Sequence, residues 1–316
     1  MKKHLLFIGL LAISAGGFQS QAEDFFGGRK LLSYTLTDEE YPSEVEEVRF
    51  VYNTDAVLEK IQDGHDVVTI LRDDPQPGSI TITKVDSDYD VTRFELTLNE
   101  AGYIVKAVES ENGKVEATYT FTYDADGQLI NMEKTEPGYS QSVESYAYTW
   151  TNGDITAVKM VESEYGDVPE TITVTITPSD IENKSSLMLY DAYYGLDIDE
   201  LEHTYFAGLL GRPSKHLPLE ASAYENGNLR KSTCTWTLDD KGFPSKVFID
   251  IDDVIEPYDI TITFEWQEFA GVEEIEAAVN AGNARIFGID GTERTELHKG
   301  LNIVRSADGS VSKIMK

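Results

Sequence analysis

The sequence has few of the residue types that build covalent or metal-bound frameworks. Cys234 is the only cysteine among 316 residues, which excludes a disulfide within the chain. The histidines His65, His203, His216 and His298 are dispersed and lack the His-x-x-x-His or His-Glu-x-x-His spacing of a metal site. No Gly-x-Ser-x-Gly motif is present to supply a serine nucleophile. We therefore predict no metal, no cofactor and no catalytic residues, and expect a protein that is not an enzyme.

Positive charge is also scarce. The chain holds 26 Lys and Arg against 57 Asp and Glu, a formal net charge of −31 at pH 7. Residues 1–22 contain two lysines and no acid, so the chain without them carries −33. Such a charge repels phosphate groups, which excludes nucleic acid as a partner. The acids are scattered, and hydrophobic residues make up 41%, enough for a packed core.

Long apolar runs are missing after the N-terminus. Residues 1–22 are typical of a secretory signal peptide: two lysines, an apolar run at 5–13, and small residues up to Ala22, where we expect cleavage. The apolar run is shorter than the roughly 18 residues of a membrane helix, and no later stretch reaches that length. The sequence therefore predicts export without a transmembrane helix, to the periplasm, the outer-membrane surface or the medium.

What the sequence has in quantity is strict alternation of apolar and polar residues. From about residue 79 to 266, successive segments show period two, the signature of strands with one buried face. Turns at Gly102, Gly127 and Gly153 recur after 25 and 26 residues, the length of one hairpin unit. The predicted strands are residues 80–85, 93–98, 117–123, 144–150, 171–177, 232–238 and 260–266.

A sheet with one apolar face must cover that face by curling, by a second sheet or by a helix. The segment DELEHTYFAGLL, residues 199–210, is the one good helix candidate, with Asp199 as N-cap and an apolar stripe of Leu201, Tyr205 and Leu209. We therefore predict an all-β fold. Its main part is a large curved antiparallel β-meander, an open or partial barrel, wrapped around this one short helix.

The chain divides into three predicted parts. Residues 1–22 are the signal peptide, residues 23–268 the curved antiparallel domain, and residues 271–316 a small C-terminal β module with Asp-Gly turns. Ahead of the regular meander, two further strands are expected on either side of a helical turn at residues 54–64.

Four motifs carry a resemblance to a known family. YTFTYDADGQL, YTWTNGDI, YFAGLLGRPSKHLP and CTWTLDDKGFPSKV resemble exported proteins of Bacteroides and Prevotella relatives, which form a domain of unknown function with a porin-like fold. The resemblance covers about residues 79–266, and residues 208–218 are its most specific piece. It implies a β fold and export, and it brings no activity and no catalytic residue.

The tail has a resemblance of its own. KGLNIVRSADGSVSKIMK, residues 299–316, is similar to C-terminal modules of secreted proteins from those bacteria, among them type IX secretion sorting domains. Asn302 stands where an aromatic residue is commoner. The resemblance implies a sorting role and the secretion machinery as a partner.

Two groups of residues invite a binding role. Six aromatic side chains on one side of two strands could stack on sugar rings or could form the core under the helix, and the alternation favours the core. They are Tyr119, Phe121, Tyr123, Tyr146, Tyr148 and Trp150. The acidic run DSDYD at 86–90 clusters oxygen ligands, but Val91 and Thr97 replace the Gly and Glu of a calcium loop. Cys234 alternates onto the apolar face, where we expect it to be buried.

Four functions from different classes remain open. The leading one is an exported, non-enzymatic binding or scaffold module at the cell envelope. The alternatives are a periplasmic carrier of a lipid or other hydrophobic ligand with the helix as its lid, an outer-membrane β-barrel, and a glycan-active enzyme. A carboxylate pair cannot be chosen for the last among 57 acids. A glycan or a hydrophobic small molecule is thus a candidate ligand, whose binding residues the sequence does not identify.

Overall fold

Sixteen strands of the protein form one closed antiparallel barrel. The structure is a computed structural model, and it describes residues 29–38, 41, 43, 45–53, 57–73, 79–138, 143–163, 169–187, 201–225, 228–252, 258–268, 282–288, 291–298, 301–306 and 311–315. The predicted signal peptide lies outside these residues. The barrel strands are β1 (Arg29–Asp38), β2 (Val45–Tyr52), β3 (Leu58–Asp63), β4 (Asp66–Arg72), β5 (Ile80–Val85), β6 (Val91–Leu98), β7 (Ile104–Glu111), β8 (Lys114–Tyr123), β9 (Leu129–Thr135), β10 (Val143–Thr151), β11 (Asp154–Ser163), β12 (Glu170–Glu182), β13 (His216–Glu225), β14 (Asn228–Leu238), β15 (Pro244–Asp252) and β16 (Tyr258–Glu268).

Each barrel strand pairs with its neighbours in sequence, and β1 pairs with β16 to close the ring. All seven strands predicted from alternation lie within observed strands. The predicted antiparallel meander is therefore present, but the sheet is closed rather than open or partial. The reason lies in β1, a strand that the alternation analysis did not identify. Because it runs beside β16 from Arg29 to Asp38, neither end of the meander is left as an unpaired edge.

The prediction of a helical turn at residues 54–64 is wrong. Residues 58–63 form β3, which pairs with β2 and β4. Leu58 and Ile61 are both buried, and their spacing of three imitates a helix. Pairing with two neighbouring strands overrides this local pattern.

The predicted helix is a single turn. Helix α1 (Glu202–Phe206) has five residues, and its N-cap residue Leu201 makes no side-chain capping bond. Asp199, predicted as the N-cap, lies outside the described residues. The predicted apolar stripe is nevertheless fully buried, since Leu201, Tyr205 and Leu209 are 0%, 2% and 3% exposed.

The two faces of the strands differ as the alternation predicts. In β8, Tyr119 and Phe121 are buried while Thr120 and Thr122 are exposed. The buried apolar residues of the barrel strands join Leu187 and those of residues 201–210 in one continuous cluster. An outward side chain of a single-layer sheet has only solvent opposite it, so these buried side chains face the barrel interior.

The turns that follow even-numbered strands lie at one end of the barrel, because strand direction alternates along the meander. At five of these turns, an Asn or Asp Oδ1 accepts the backbone N–H four residues later. The acceptor and donor residues are Asn53 and Val57, Asn99 and Tyr103, Asp124 and Gln128, Asn183 and Leu187, and Asp239 and Phe243. We call this end of the barrel the Asx rim.

A second device repeats at the Asx rim. Near the end of six even-numbered strands, a side-chain O–H or N–H donates to a backbone carbonyl of the preceding strand. The pairs are Tyr52 to Leu31, Arg72 to Leu58, Tyr123 to Ile104, Trp150 to Leu129, Trp236 to Pro218 and Trp266 to Pro244, at 2.6–3.0 Å. Such bonds tie each of these strands to the odd-numbered strand before it, in addition to the backbone hydrogen bonds of the sheet.

The chain also contains a second sheet. Its strands are β17 (Ala284–Gly288), β18 (Glu293–Arg294), β19 (Leu301–Ser306) and β20 (Val311–Met315), in the order β18-β17-β19-β20. Ile286 and Val304 are buried on it. Short strands were predicted here from the sequence, and the C-terminal module as an independent domain stays a prediction.

An ion pair reinforces the closure of the barrel. Arg29 in β1 reaches past β16 to the turn between β14 and β15, where its Nη1 lies 2.5 Å from Asp239 Oδ2. The guanidinium carbon lies 4.3 Å from the centre of the Phe243 ring, which packs edge-on against Trp266. Burial opposes ionisation of Asp239, but the Arg29 hydrogen bond and the turn amides outweigh it and lower the pKa of this carboxyl.

We predict that Arg29→Met lowers the free energy of unfolding by about 1–3 kcal/mol, since it leaves a partly buried carboxylate without its donor. Urea unfolding measures this loss. Arg49→Met is the matched control, because Arg49 and its partner Glu47 are exposed and such pairs contribute about 0–1 kcal/mol. Equal losses in the two variants would contradict a closing role for Arg29.

The same contact predicts a pH dependence. Because the pKa of Asp239 is lowered by folding, its stabilisation is present above the unfolded carboxyl pKa of about 3.9 and is lost as the pH falls through the lower folded value. The stability difference between the wild type and Asp239→Asn, measured by urea unfolding across a pH series, should therefore shrink below about pH 4.

Candidate functional site

One segment crosses the Asx rim and contacts three successive turns. Residues 208–216, with the sequence GLLGRPSKH, form what we call the strap. Leu209 carbonyl accepts the Ile104 N–H at 2.9 Å at the first turn. The N–H of Arg212 donates to the Gly127 carbonyl at 2.9 Å at the second, and the N–H of Lys215 donates to the Gly153 carbonyl at 3.1 Å at the third.

The spacing of these bonds follows from the geometry of the sheet. Successive turns at one rim are two strands apart, about 9.5 Å. Three extended residues cover about 10 Å. An extended strap can therefore contact each successive turn with every third residue. Residues 209, 212 and 215, which make the contacts, have this spacing.

The C-terminal end of the strap has additional anchors. Ser214 Oγ accepts the Ile155 N–H at 3.1 Å, and Lys215 Nζ donates to the Asn152 carbonyl at 2.7 Å. Both oxygens of the buried Asp154 carboxylate contact His216: Oδ1 accepts its backbone N–H at 2.8 Å, and Oδ2 lies 2.9 Å from Nδ1. His216 and Asp154 thus hold the strap to the rim.

Gly211 allows the strap to lie this close. Its φ is 89°, in the left-handed region. A Cβ there would lie 2.7 Å from the Gly127 carbonyl oxygen and 2.8 Å from Tyr123 Cε1. Both the backbone conformation and the space therefore require glycine.

The six aromatic residues weighed for sugar stacking pack in the barrel core. Tyr119, Phe121 and Tyr148 are 1%, 4% and 6% exposed. The Tyr123 hydroxyl and the Trp150 indole N–H are bound to backbone carbonyls, as described above. The remaining member, Tyr146, packs against the same core at its edge.

Tyr148 differs from its neighbours, because its buried hydroxyl oxygen has no hydrogen-bond partner among the residues that the structure describes. Burial, reinforced by the nearby Tyr146 and Tyr123, raises the pKa of Tyr148 well above its usual value, so the hydroxyl is neutral at physiological pH. A buried hydroxyl without a partner costs about 1–3 kcal/mol of folding free energy. The sequence contains no signal for this, since alternation predicts burial of the ring but not the position of its hydroxyl.

The remaining candidates have structural roles where the structure describes them. Asp86 Oδ1 accepts the N–H groups of Asp88 and Asp90 at 2.9 Å, so the acidic run 86–90 is an ordinary hydrogen-bonded turn. Cys234 is buried. Within the described ranges, no three His, Cys, Asp or Glu side chains are grouped as metal ligands would be.

Asn302 has a clear local function in the second sheet. It is fully buried, its Oδ1 accepts the His298 N–H at 2.9 Å, and its Nδ2 donates to the His298 carbonyl at 2.7 Å. The amide thus holds the chain just before β19, a role that an aromatic side chain could not perform.

We predict that Gly211→Ala destabilises the protein more than Gly113→Ala. Gly113 has a similar φ of 82° with no atom within 4 Å of the added Cβ, so both variants lose about 1–2 kcal/mol from the left-handed backbone. The overlap at Gly211 adds about 1–3 kcal/mol. Urea unfolding gives both values, and hydrogen exchange of the Arg212 amide reports release of the strap. If the two glycine variants cost the same, the strap does not lie against the second turn.

The fold has a counterpart among solved structures. A porin-like protein from Bacteroides uniformis ATCC 8492 aligns with a TM-score of 0.55 at 18% identity, over 75% of this chain and 96% of that chain. A TcdB2-TccC3-Cdc42 structure aligns at 12% identity over 89% of this chain and 16% of its own, with a TM-score of 0.30. No curated protein matches the chain.

The described part of the chain contains no helix long and apolar enough to cross a bilayer. A family model described as "Domain of unknown function (DUF4595) with porin-like fold" matches residues 76–246, a range that includes the strap and the turns beneath it. The chain belongs to this family of porin-like β domains.

Proposed function

We propose that the protein is an exported, non-enzymatic binding or scaffold module of the cell envelope, with a barrel that stands in water rather than in a bilayer. The porin-like family and the similar Bacteroides structure support an envelope location. The observation that carries the proposal is the polarity of the barrel's two faces, which is the reverse of that in a membrane porin.

The outward face is polar along the middle of the strands. Most exposed residues there are charged or carry hydroxyl groups, and they occur around the ring. They include Arg49, Glu95, Thr120, Lys159, Thr173, Thr235, Asp250 and Glu265. A membrane barrel needs an apolar outward band about 25 Å tall at this level, where an Arg or Lys costs about 2–4 kcal/mol.

The exposed large hydrophobic residues lie elsewhere. Tyr41 and Tyr89 are in turns, and most of the others are within two residues of a strand end. Those others are Val45, Val51, Leu71, Val91, Val115, Tyr224, Leu229 and Leu238, with Leu219 as the fourth residue of its strand. They do not form the continuous central belt that lipid requires.

The inward face is apolar and closely packed. Phe94, Ile61 and Val68 are 0% exposed, and the apolar cluster includes residues of α1 and the strap. A porin channel needs a polar, hydrated lumen. This interior favours a stable soluble module over a channel for polar solutes.

We predict opposite tolerance of lysine at two adjacent positions of β12. Thr173→Lys should change the free energy of unfolding by less than about 0.5 kcal/mol, because Thr173 faces water. Val174→Lys should prevent folding or cost more than about 4 kcal/mol, because Val174 is 1% exposed and a lysine there would be an unpaired interior charge. Urea unfolding without detergent measures both. A membrane barrel with a hydrated lumen would show the reverse order.

Membrane association gives a second, independent prediction. Residues 23–316 should sediment as a dispersed species in detergent-free buffer, and carbonate should release the native protein from envelope fractions. Retention in the carbonate pellet, together with a need for detergent, would favour the outer-membrane barrel.

A further inference from the structure

The unpartnered Tyr148 hydroxyl lies close to the strapped end of the barrel. Tyr148 is in β10 opposite Val158 of β11. Trp150, two residues further along, lies on the same side of the strand and marks the rim. The strap contacts the turn that follows directly, through Lys215 and Gly153. Tyr148 is therefore one pleat below a rim that the strap covers.

The neighbouring hydroxyl groups have partners of their own. Tyr123 donates to the Ile104 carbonyl at 2.8 Å, and Tyr146 lies 3.4 Å from a Glu144 carboxylate oxygen. Of these three hydroxyls, only that of Tyr148 has no partner within the described ranges of the chain. A phenylalanine would fill the same apolar position without burying an unpaired hydroxyl, so packing does not explain the oxygen.

The surroundings define what the hydroxyl could bind. A buried water needs two to four polar partners, whereas the Tyr148 ring belongs to an apolar cluster and the nearby Tyr123 and Tyr146 hydroxyls donate elsewhere. A carboxylate or phosphate would bring an unpaired charge into the same cluster. An apolar molecule with one hydrogen-bonding oxygen requires only the single polar contact that Tyr148 supplies.

The strap provides a route to this position. The side chains of Arg212 and Lys215 are exposed, and residues 208–215 are joined to the rim by hydrogen bonds to turns and strand ends rather than by pairing in the sheet. Lifting the strap uncovers the rim above Tyr148 while the closed β-sheet remains intact. Tyr148 is 6% exposed, so a ligand can reach its hydroxyl only as the strap moves.

We propose that the barrel interior behind the strap is a binding site, and that the Tyr148 hydroxyl hydrogen-bonds a neutral, largely apolar molecule bearing one hydroxyl or carbonyl oxygen. This deepens the binding role proposed above and rests on it, because the site is reached from water. The Tyr148 hydroxyl binds the ligand's oxygen, and the apolar side chains of the barrel interior contact the rest of the ligand.

The test uses prodan, a neutral apolar fluorophore with one carbonyl oxygen, and residues 23–316 purified without detergent. Wild type should bind prodan saturably with a blue-shifted emission, and 1-decanol should compete. Tyr148→Phe should weaken binding by about tenfold, the effect of one hydrogen bond. Tyr224→Phe removes an exposed hydroxyl from the outside of the barrel and should bind as wild type does.

The stability of the unliganded variants separates a ligand contact from a structural one. Tyr148→Phe should unfold at an equal or higher urea concentration than the wild type, because the lost hydroxyl had no partner. Absence of saturable binding, equal affinities for wild type and Tyr148→Phe, or a lower urea midpoint for Tyr148→Phe would each overturn the proposal. Sedimentation of the same detergent-free sample tests the proposed function separately, since a dispersed protein that binds no prodan refutes only the interior site.

Discussion

The structure depends on burying one apolar face of a very long antiparallel ribbon. Each barrel strand has a face that water disfavours, and a single sheet can hide such a face only by closing on itself or by adding another layer. The chain closes: β1 meets β16, and the apolar side chains of the ring pack with α1 and the strap in one cluster. The outward face is left with the hydroxyl and charged residues, which accounts for a highly acidic protein with a large continuous core.

The Asx rim shows how a closed ring of this size is held in register. A closed sheet can still slip by two residues at any hairpin without exchanging its faces. The Asx turns fix where five of the even-numbered strands end, the Tyr and Trp side chains tie even-numbered strands to the strands before them, and the strap joins three hairpins at once. These devices act on backbone groups, so they constrain the ring independently of the packing inside it.

The sequence predicts the even-numbered strands better than the odd-numbered ones. Six of the seven predicted strands are even-numbered, and they share regular alternation of polar or small residues with apolar or aromatic ones. Odd-numbered strands such as β9 (LINMEKT) mix polar and apolar residues without that regularity, so pairing with β8 and β10 identifies β9 where its local pattern does not. Closure by β1 is a long-range pairing between the two ends of the ribbon, and local periodicity contains no information about it.

The sequence identifies the strap region as a family motif, but only the structure shows that it joins three turns. The strap has no strand or helix period. Its hydrogen bonds repeat at every third residue, and they are made with turns that are distant in sequence. The Tyr148 hydroxyl is a similar case: alternation places the ring inside, but only the three-dimensional arrangement shows that the oxygen has no partner. The strap and the Tyr148 hydroxyl, which form the candidate site, are thus the parts of the structure that sequence patterns predict least well.

Labelling of adjacent side chains in β14 tests the direction of the two faces most directly. Cys234 is the single cysteine and is buried, while its neighbour Thr235 is exposed. In the native, detergent-free protein, a charged maleimide should leave Cys234 unmodified until urea unfolds the barrel. In a variant that combines Thr235→Cys with Cys234→Ser, the same reagent should modify the introduced thiol at once. Rapid labelling of native Cys234 together with protection of the introduced thiol would show that the apolar face is not the inner one, and would contradict the account.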